Sequence, residues 1–182
     1  MRKLLSLVIV LLFVVSFTLV GCKKEESAQV DTAGGDTAQA TIPAKEIAKD
    51  GTFIAYDNGT VLNTANGLMW AAKDNGSDIN WTKAKKYCES YDGGGYTDWR
   101  MPTQDELTAI IGAAEPYKTA CGEDAHITKL ITLSCVFVWG SDTFSSDEAS
   151  SVYIGPDGGA MFMVKNNLTK NYRALPVRGT KK

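Results

Sequence analysis

Four cysteines and a single histidine are the residues of this 182-residue sequence with the strongest potential for chemistry. Cys121 and Cys135 lie close together in the chain, and we predict a disulfide between them. In the loop-entropy model, such a bridge stabilises the folded state by about 3 kcal/mol. Cys88 lies on the apolar side of a predicted helix, where we expect a buried free thiol. A nucleophilic Cys88 is the alternative, and a catalytic Cys–His pair would have to use His126, which we expect to be a solvated loop residue.

Asp98, Trp99 and Arg100 form the most distinctive polar cluster, between a glycine-rich stretch and a predicted helix. One interpretation is a ligand-contacting loop with an aromatic platform. The other is a turn held by a buried tryptophan and an Asp–Arg pair. We favour the structural interpretation, because the cluster directly precedes a capping box in which Thr103 and Glu106 would bond each other's backbone.

The segment Asp74–Asp78 offers oxygen ligands around a glycine, as calcium loops do. It lacks the length and the terminal glutamate of an EF-hand loop, so we expect a polar loop, and we expect no metal or other cofactor in the chain. Calcium binding is the alternative interpretation of this segment.

The N-terminus predicts export. Arg2 and Lys3 precede an uncharged apolar run over residues 4–20, which is typical of a secretory signal peptide. A membrane-spanning anchor is the alternative, because the run is at the short limit for such a helix. The sequence Leu19-Val20-Gly21-Cys22 resembles the lipobox of bacterial lipoproteins. That resemblance implies cleavage after residue 21 and attachment of acyl chains to Cys22, which would hold the protein on a membrane.

The next segment predicts a tether, and a folded domain follows it. Residues 22–50 have no aromatic residue, so they cannot bury enough apolar surface to offset the entropy of ordering. Residues 51–182 hold all four tryptophans and form a domain of ordinary size. Lys23 follows the lipobox cysteine in place of the aspartate that often retains lipoproteins at the inner membrane. In a cell that has an outer membrane, this favours transfer to it.

The folded domain predicts an α+β architecture. Periodicity indicates helices over residues 81–91 and from Thr103 to about Ala114. Short apolar runs separated by turn residues indicate strands over residues 52–56, 60–62, 68–70, 136–139, 151–154 and 161–164. Residues 172–177 are expected to close the sheet.

Three sequence blocks in this domain resemble the Lcl C-terminal domain family. They are Gly59-Thr60-Val61 with Gly67-Leu68-Met69-Trp70, then Trp81 with Ala84 and Tyr87-Cys88, and then the run from Gly94 to Leu107. Within them we assign a mainly structural role to these motif residues: Trp70, Trp81, Asp98, Trp99, Arg100, Pro102, Thr103 and Glu106.

The resemblance implies a C-type-lectin-like fold, with two helices flanking curled antiparallel sheets. It also implies a surface protein, since the adhesin that names the family is associated with sulfated glycans and with oligomers. Formylglycine-generating enzymes are thought to share this fold, and some of them bind copper through cysteines. Cys88 has no matching cysteine near the C-terminus here, which argues against that chemistry.

Charge suggests one further candidate surface. Acidic and basic residues nearly balance overall (21 against 19), which argues against a nucleic-acid binder. After Asp157 the chain has basic residues but no acidic residue. This positively charged stretch could contact anions or sulfated glycans through Lys165, Lys170, Arg173 and Arg178. A solvated tail and a charge-protected edge strand are the alternative.

The sequence therefore predicts a lipid-anchored envelope protein with a lectin-like binding or adhesion module and without catalytic turnover. Its partners would be the membrane and a glycan or an envelope protein. A structural or assembly role in the envelope is the first alternative, and an enzyme of the formylglycine-generating type is the second.

Overall fold

Short β-rich segments joined by glycine turns form the first sheet in a computed structural model of the chain. Its strands are β1 (Glu46–Asp50), β2 (Phe53–Tyr56), β3 (Thr60–Asn63), β4 (Leu68–Ala71) and β11 (Val177–Arg178). Strands β1 to β4 follow one another as an antiparallel meander, and β11 pairs with β4 at the far side of the sheet. Gly59 and Gly67 adopt positive φ angles of 79° and 75°, which only glycine adopts without strain in these turns.

The structure describes residues 44–112, 115–157, 159–164 and 170–179, without the side chains of residues 160–164. The predicted signal peptide, Cys22, most of the predicted tether and Lys165 lie outside the described residues. No helix within the described ranges is long and apolar enough to cross a membrane.

Part of the segment that was assigned to the tether forms a strand. Residues 46–50, assigned to the tether, form β1 and pair with β2 in antiparallel register. Four of these five residues are exposed, so their composition resembles that of a linker. Backbone pairing to β2 orders them, and composition alone does not report such pairing.

Helix α1 (Trp81–Glu89) is close to the predicted helix and ends two residues earlier. The side chain of Asn80 caps it by accepting a hydrogen bond of 2.9 Å from the backbone of Lys83. Ala84 and Cys88 form its fully buried side.

Helix α2 (Gln104–Thr108) begins where predicted but is much shorter than predicted. The capping box is confirmed, since Thr103 and Glu106 bond each other's backbone. Beyond Thr108 the backbone tightens, with Ile110 bonding Leu107, and Gly112 then donates to His126. Leu107 and Ile110 are both buried, although only Leu107 lies in the helix. The helical spacing of apolar residues is therefore satisfied here without a continuous helix.

The second sheet has the strand order β10-β7-β8-β9, with β10 parallel to β7 and the other pairs antiparallel. Residues 172–177 were expected to close one sheet, but they contribute to both, through β10 and then through Val177 of β11. A small hairpin of β5 and β6 completes the strands. Their bounds are β5 (Tyr117–Lys118), β6 (Asp124–Ala125), β7 (Phe137–Thr143), β8 (Glu148–Tyr153), β9 (Gly159–Val164) and β10 (Tyr172–Arg173).

The two helices and the antiparallel sheets confirm the α+β part of the predicted fold. Two apolar clusters lie in this domain. The larger cluster includes Trp70, Leu107 and Val138. The smaller one places Trp139 and Cys88 together, so that α1 packs near the second sheet. Adjacent residues of β7 thus belong to different clusters, because successive side chains of a strand point to opposite faces.

Candidate functional site

Arg100 and Glu106 form the most tightly bonded ion pair of the sequence motif. Two hydrogen bonds of 2.7 Å join the guanidinium to the two carboxylate oxygens. Glu106 also accepts from the backbone N–H of Thr103, and Arg100 also donates to the carbonyl of Gly179. This pair therefore joins the start of α2 to the C-terminal end of the described chain.

The environment of this pair keeps both groups charged. Burial opposes ionisation of Glu106, but hydrogen bonds from Arg100 and Thr103 outweigh it and lower its pKa. The hydrogen bonds to Glu106 raise the pKa of Arg100 in turn. A carboxylate that is buried, ionised and bonded to several donors is a poor general acid or base at neutral pH.

The predicted motif tryptophans all lie at internal contacts. Trp99 is 3% exposed, donates 3.0 Å to the carbonyl of Gly93 and packs edge-on against Tyr91. Trp70 is fully buried in the larger cluster. Trp81 is half-buried and donates 2.7 Å to the carbonyl of Gly140. Pro102 is buried as well, and its carbonyl accepts from the backbone of Ser141.

The expected pair between Asp98 and Arg100 is wrong, because each residue bonds another partner. Asp98 accepts two hydrogen bonds, of 2.6 and 3.1 Å, from Arg178 of β11. The hydrogen bond from Arg178 lowers the pKa of Asp98. The same guanidinium lies 3.7 Å from the ring centre of Tyr96, so it makes a cation–π contact as well. Sequence proximity suggested the wrong arginine, since β11 approaches the motif only in the folded chain.

Arg173 was expected among the anion-contacting residues, but the structure buries it. Only 7% of the residue is exposed, and its guanidinium donates 2.7 Å to Asp78 and 2.6 Å to the hydroxyl of Ser134. Those bonds remove Arg173 from any set of solvent-facing cations. Of the other predicted contacts, Arg178 is paired with Asp98 and Lys170 is exposed.

The loop considered for calcium holds its carboxylates on protein donors. Asp74 accepts from the backbone of Gly76 at 2.8 Å and from the backbone of Ser134 at 2.7 Å. Asp78 accepts from Arg173. A guanidinium therefore lies beside the carboxylates that a calcium ion would need, which favours the polar-loop interpretation.

The three cysteines that the structure describes take the arrangement that the sequence predicts. Cys121 and Cys135 form a disulfide with a Cα–Cα distance of 5.3 Å. Cys88 is free and fully buried, and burial raises the pKa of its thiol to about 12, so it is unreactive near neutral pH. One described group, Cys121 with Glu123 and Cys135, gathers three metal-type ligand atoms, but the disulfide occupies its two sulfurs.

His126 is half-buried directly after β6, and its backbone joins two neighbouring segments. Its N–H donates to Ile154 and its carbonyl accepts from Gly112. The solvated loop residue expected from the sequence is thus partly covered.

Two features of the surface were not predicted as sites. A shallow groove of about 410 Å³ is lined by Lys49, Asp50, Glu115, Lys129 and Leu130. On α1, the side chains of Lys83, Lys85 and Lys86 are exposed. The three lysines lie among the motif residues of α1 but are not part of the motif, and the groove joins segments that are distant in sequence, so local pattern reading finds neither as a site.

Comparison with protein-family models yields a match. The sequence model of the family described as the Lcl C-terminal domain matches residues 59–178, which is more than half of the chain. No curated protein matches the chain.

Proposed function

The chain belongs to the Lcl C-terminal domain family, and we propose that it is a lipid-anchored protein of the bacterial cell envelope that presents this domain as a lectin-like binding module. The observation that carries the proposal is the order of three segments: a lipobox ending at Cys22, a polar linker, and the family domain. In a cell that has an outer membrane, Lys23 after the lipobox favours transfer to that membrane.

Contact rather than turnover is supported by where the reactive groups lie. Glu106 and Arg173 bond internal partners, and Cys88 is a buried thiol with a raised pKa. Catalysis by a nucleophile or a general base needs such groups within reach of a substrate. The alternatives are an assembly role in the envelope and an enzyme of the formylglycine-generating type.

Metabolic labelling with a radioactive fatty acid tests the anchor. The wild-type chain should incorporate label, whereas Cys22→Ala should not. Cys88→Ala is the matched control, because it removes a cysteine that the lipobox does not contain, and it should remain labelled. Label on the Cys22→Ala chain would overturn the lipid anchor.

A glycan array and an envelope pull-down test the binding role. The Cys22→Ser chain, expressed without the leader, should bind a defined glycan class on the array. Capture of one envelope protein without any glycan binding would instead favour the assembly role. Copper-dependent oxidation of a cysteine peptide would support the enzyme.

A further inference from the structure

The exposed side of α1 combines lysines with partly exposed tyrosines. We name Lys83, Lys86, Tyr87 and Tyr91 the α1 stripe. Lys83, Tyr87 and Tyr91 follow one another at intervals of four residues, which aligns them along one side of the helix and the turn after it. The rings of Tyr87 and Tyr91 are 6.1 Å apart. Both lysines are exposed, and both tyrosines are half-buried.

The lysines of this stripe differ from most other cations of the domain. Arg100, Arg173 and Arg178 each bond a carboxylate at 2.6–2.7 Å. Lys118 and Lys129 form ion pairs of 3.0 and 3.2 Å. Within the ranges that the structure describes, no carboxylate lies within 4.0 Å of the Lys83 or Lys86 ammonium groups.

This combination of side chains suits an anionic lipid surface. Ammonium groups are attracted to anionic headgroups, and tyrosine favours the boundary between water and the apolar part of a membrane. Acidic residues outnumber basic ones among the described residues, so the domain would approach such a surface by this side rather than at random.

The length of the linker permits this contact. Residues 23–43 separate the lipobox cysteine from the first described residue. A flexible chain of that length has a root-mean-square span of about 25 Å, which is comparable to the size of a small domain. A weak attraction is then sufficient, because the anchor keeps the effective concentration of membrane surface high.

We propose that the α1 stripe docks the domain onto anionic phospholipid headgroups of the membrane that holds its lipid anchor. Docking would orient the opposite side of the domain, away from α1, toward partners. This inference rests on the proposed anchor, and its test separates the two.

Amine labelling in proteoliposomes tests the docking. The lipidated chain is reconstituted into phosphatidylcholine vesicles with or without about one third phosphatidylglycerol, and the acetylation rate of each lysine is measured. Lys83 and Lys86 should react several-fold more slowly in anionic vesicles, and 0.5 M salt should remove the protection. Lys118 and Lys129 are internal controls whose rates should not change. Equal rates for Lys83 and Lys86 in both vesicles would overturn the proposal.

Vesicle binding by the Cys22→Ser chain tests the stripe independently of the anchor. It should sediment with anionic vesicles, and Lys83→Ala/Lys86→Ala should weaken binding about 25-fold, at about fivefold for each lysine. Lys118→Ala/Lys129→Ala is the matched control and should bind like the parent. If heparin protects the stripe from labelling while anionic vesicles do not, the surface recognises polysaccharide and the lipid proposal is wrong. Failure of Cys22 acylation alone would leave vesicle binding unchanged.

Discussion

The sequence motif around Arg100 and the exposed side of α1 are both rich in charge, but they use it differently. Glu106 of the motif has a side chain only 4% exposed and bonds Arg100. Lys83 and Lys86 of α1 face solvent. The most recognisable charged residues of this chain hold its backbone together, whereas the accessible lysines of α1 lie between motif residues and do not belong to the motif.

The ion pair of Asp98 with Arg178 lies between these two extremes. The Asp98 side chain is 57% exposed, although its partner lies against Tyr96 and connects the motif to β11. The three regions therefore form a series from a buried pair to free surface charge. Substitutions along this series should have progressively smaller effects on the free energy of unfolding.

Trp99→Ala should have the largest effect. Removing a buried indole that packs against Tyr91 should cost about 3–5 kcal/mol in the free energy of unfolding. Denaturant titration measures the loss, with Phe144→Ala as a control because Phe144 is 73% exposed and should change stability by less than about 0.5 kcal/mol. Unchanged stability together with lost ligand binding would make Trp99 a ligand contact instead.

Glu106→Ala should cost about 3 kcal/mol, since it leaves the guanidinium of Arg100 without its carboxylate. The pKa of Glu106 is lowered in the folded state. The pair therefore stabilises fully above the ordinary glutamate pKa of about 4.3, and this contribution is lost as pH falls through the lower folded value. Stability measured from pH 7 to pH 2 should fall less steeply in the variant. Glu89→Ala, at an exposed position, should keep the parent profile.

Asp98→Asn should cost only about 0.5–1 kcal/mol, because solvent screens an exposed pair even when it is bidentate. The pKa of Asp98 is also lowered, so its contribution is present above the ordinary aspartate pKa and is lost on acidification below it. Asp92→Asn is the matched control for charge. A loss above 2 kcal/mol would place this pair with the buried motif.

Lys83→Ala/Lys86→Ala should have the smallest effect on folding, within about 0.5 kcal/mol of the parent in thermal unfolding. Neither lysine has an acidic partner among the described residues, and alanine favours helix. A clear destabilisation would show that the stripe belongs to the folded framework and would remove the contrast with the motif.

Local patterns predicted a large part of the fold. The capping box at Thr103, the helix from Trp81 and the disulfide between Cys121 and Cys135 depend on neighbours in sequence or on counting, and all three are confirmed. The predicted length of α2 was wrong. Apolar spacing indicates which side chains are buried, but it does not show that the backbone between them is helical. Strand β1 was missed, since its order comes from hydrogen bonds to β2.

The candidate site shows the same division more sharply. Sequence alone determined the family domain and the identity of the charged residues. Tertiary structure decided which charges meet: Asp98 bonds Arg178 rather than Arg100, and Arg173 becomes buried beside Asp78. Arg173 and Arg178 both belong to the C-terminal segment that joins the two sheets. Pairing across such distances depends on how strands are ordered in the fold, and residue spacing carries no information about that order.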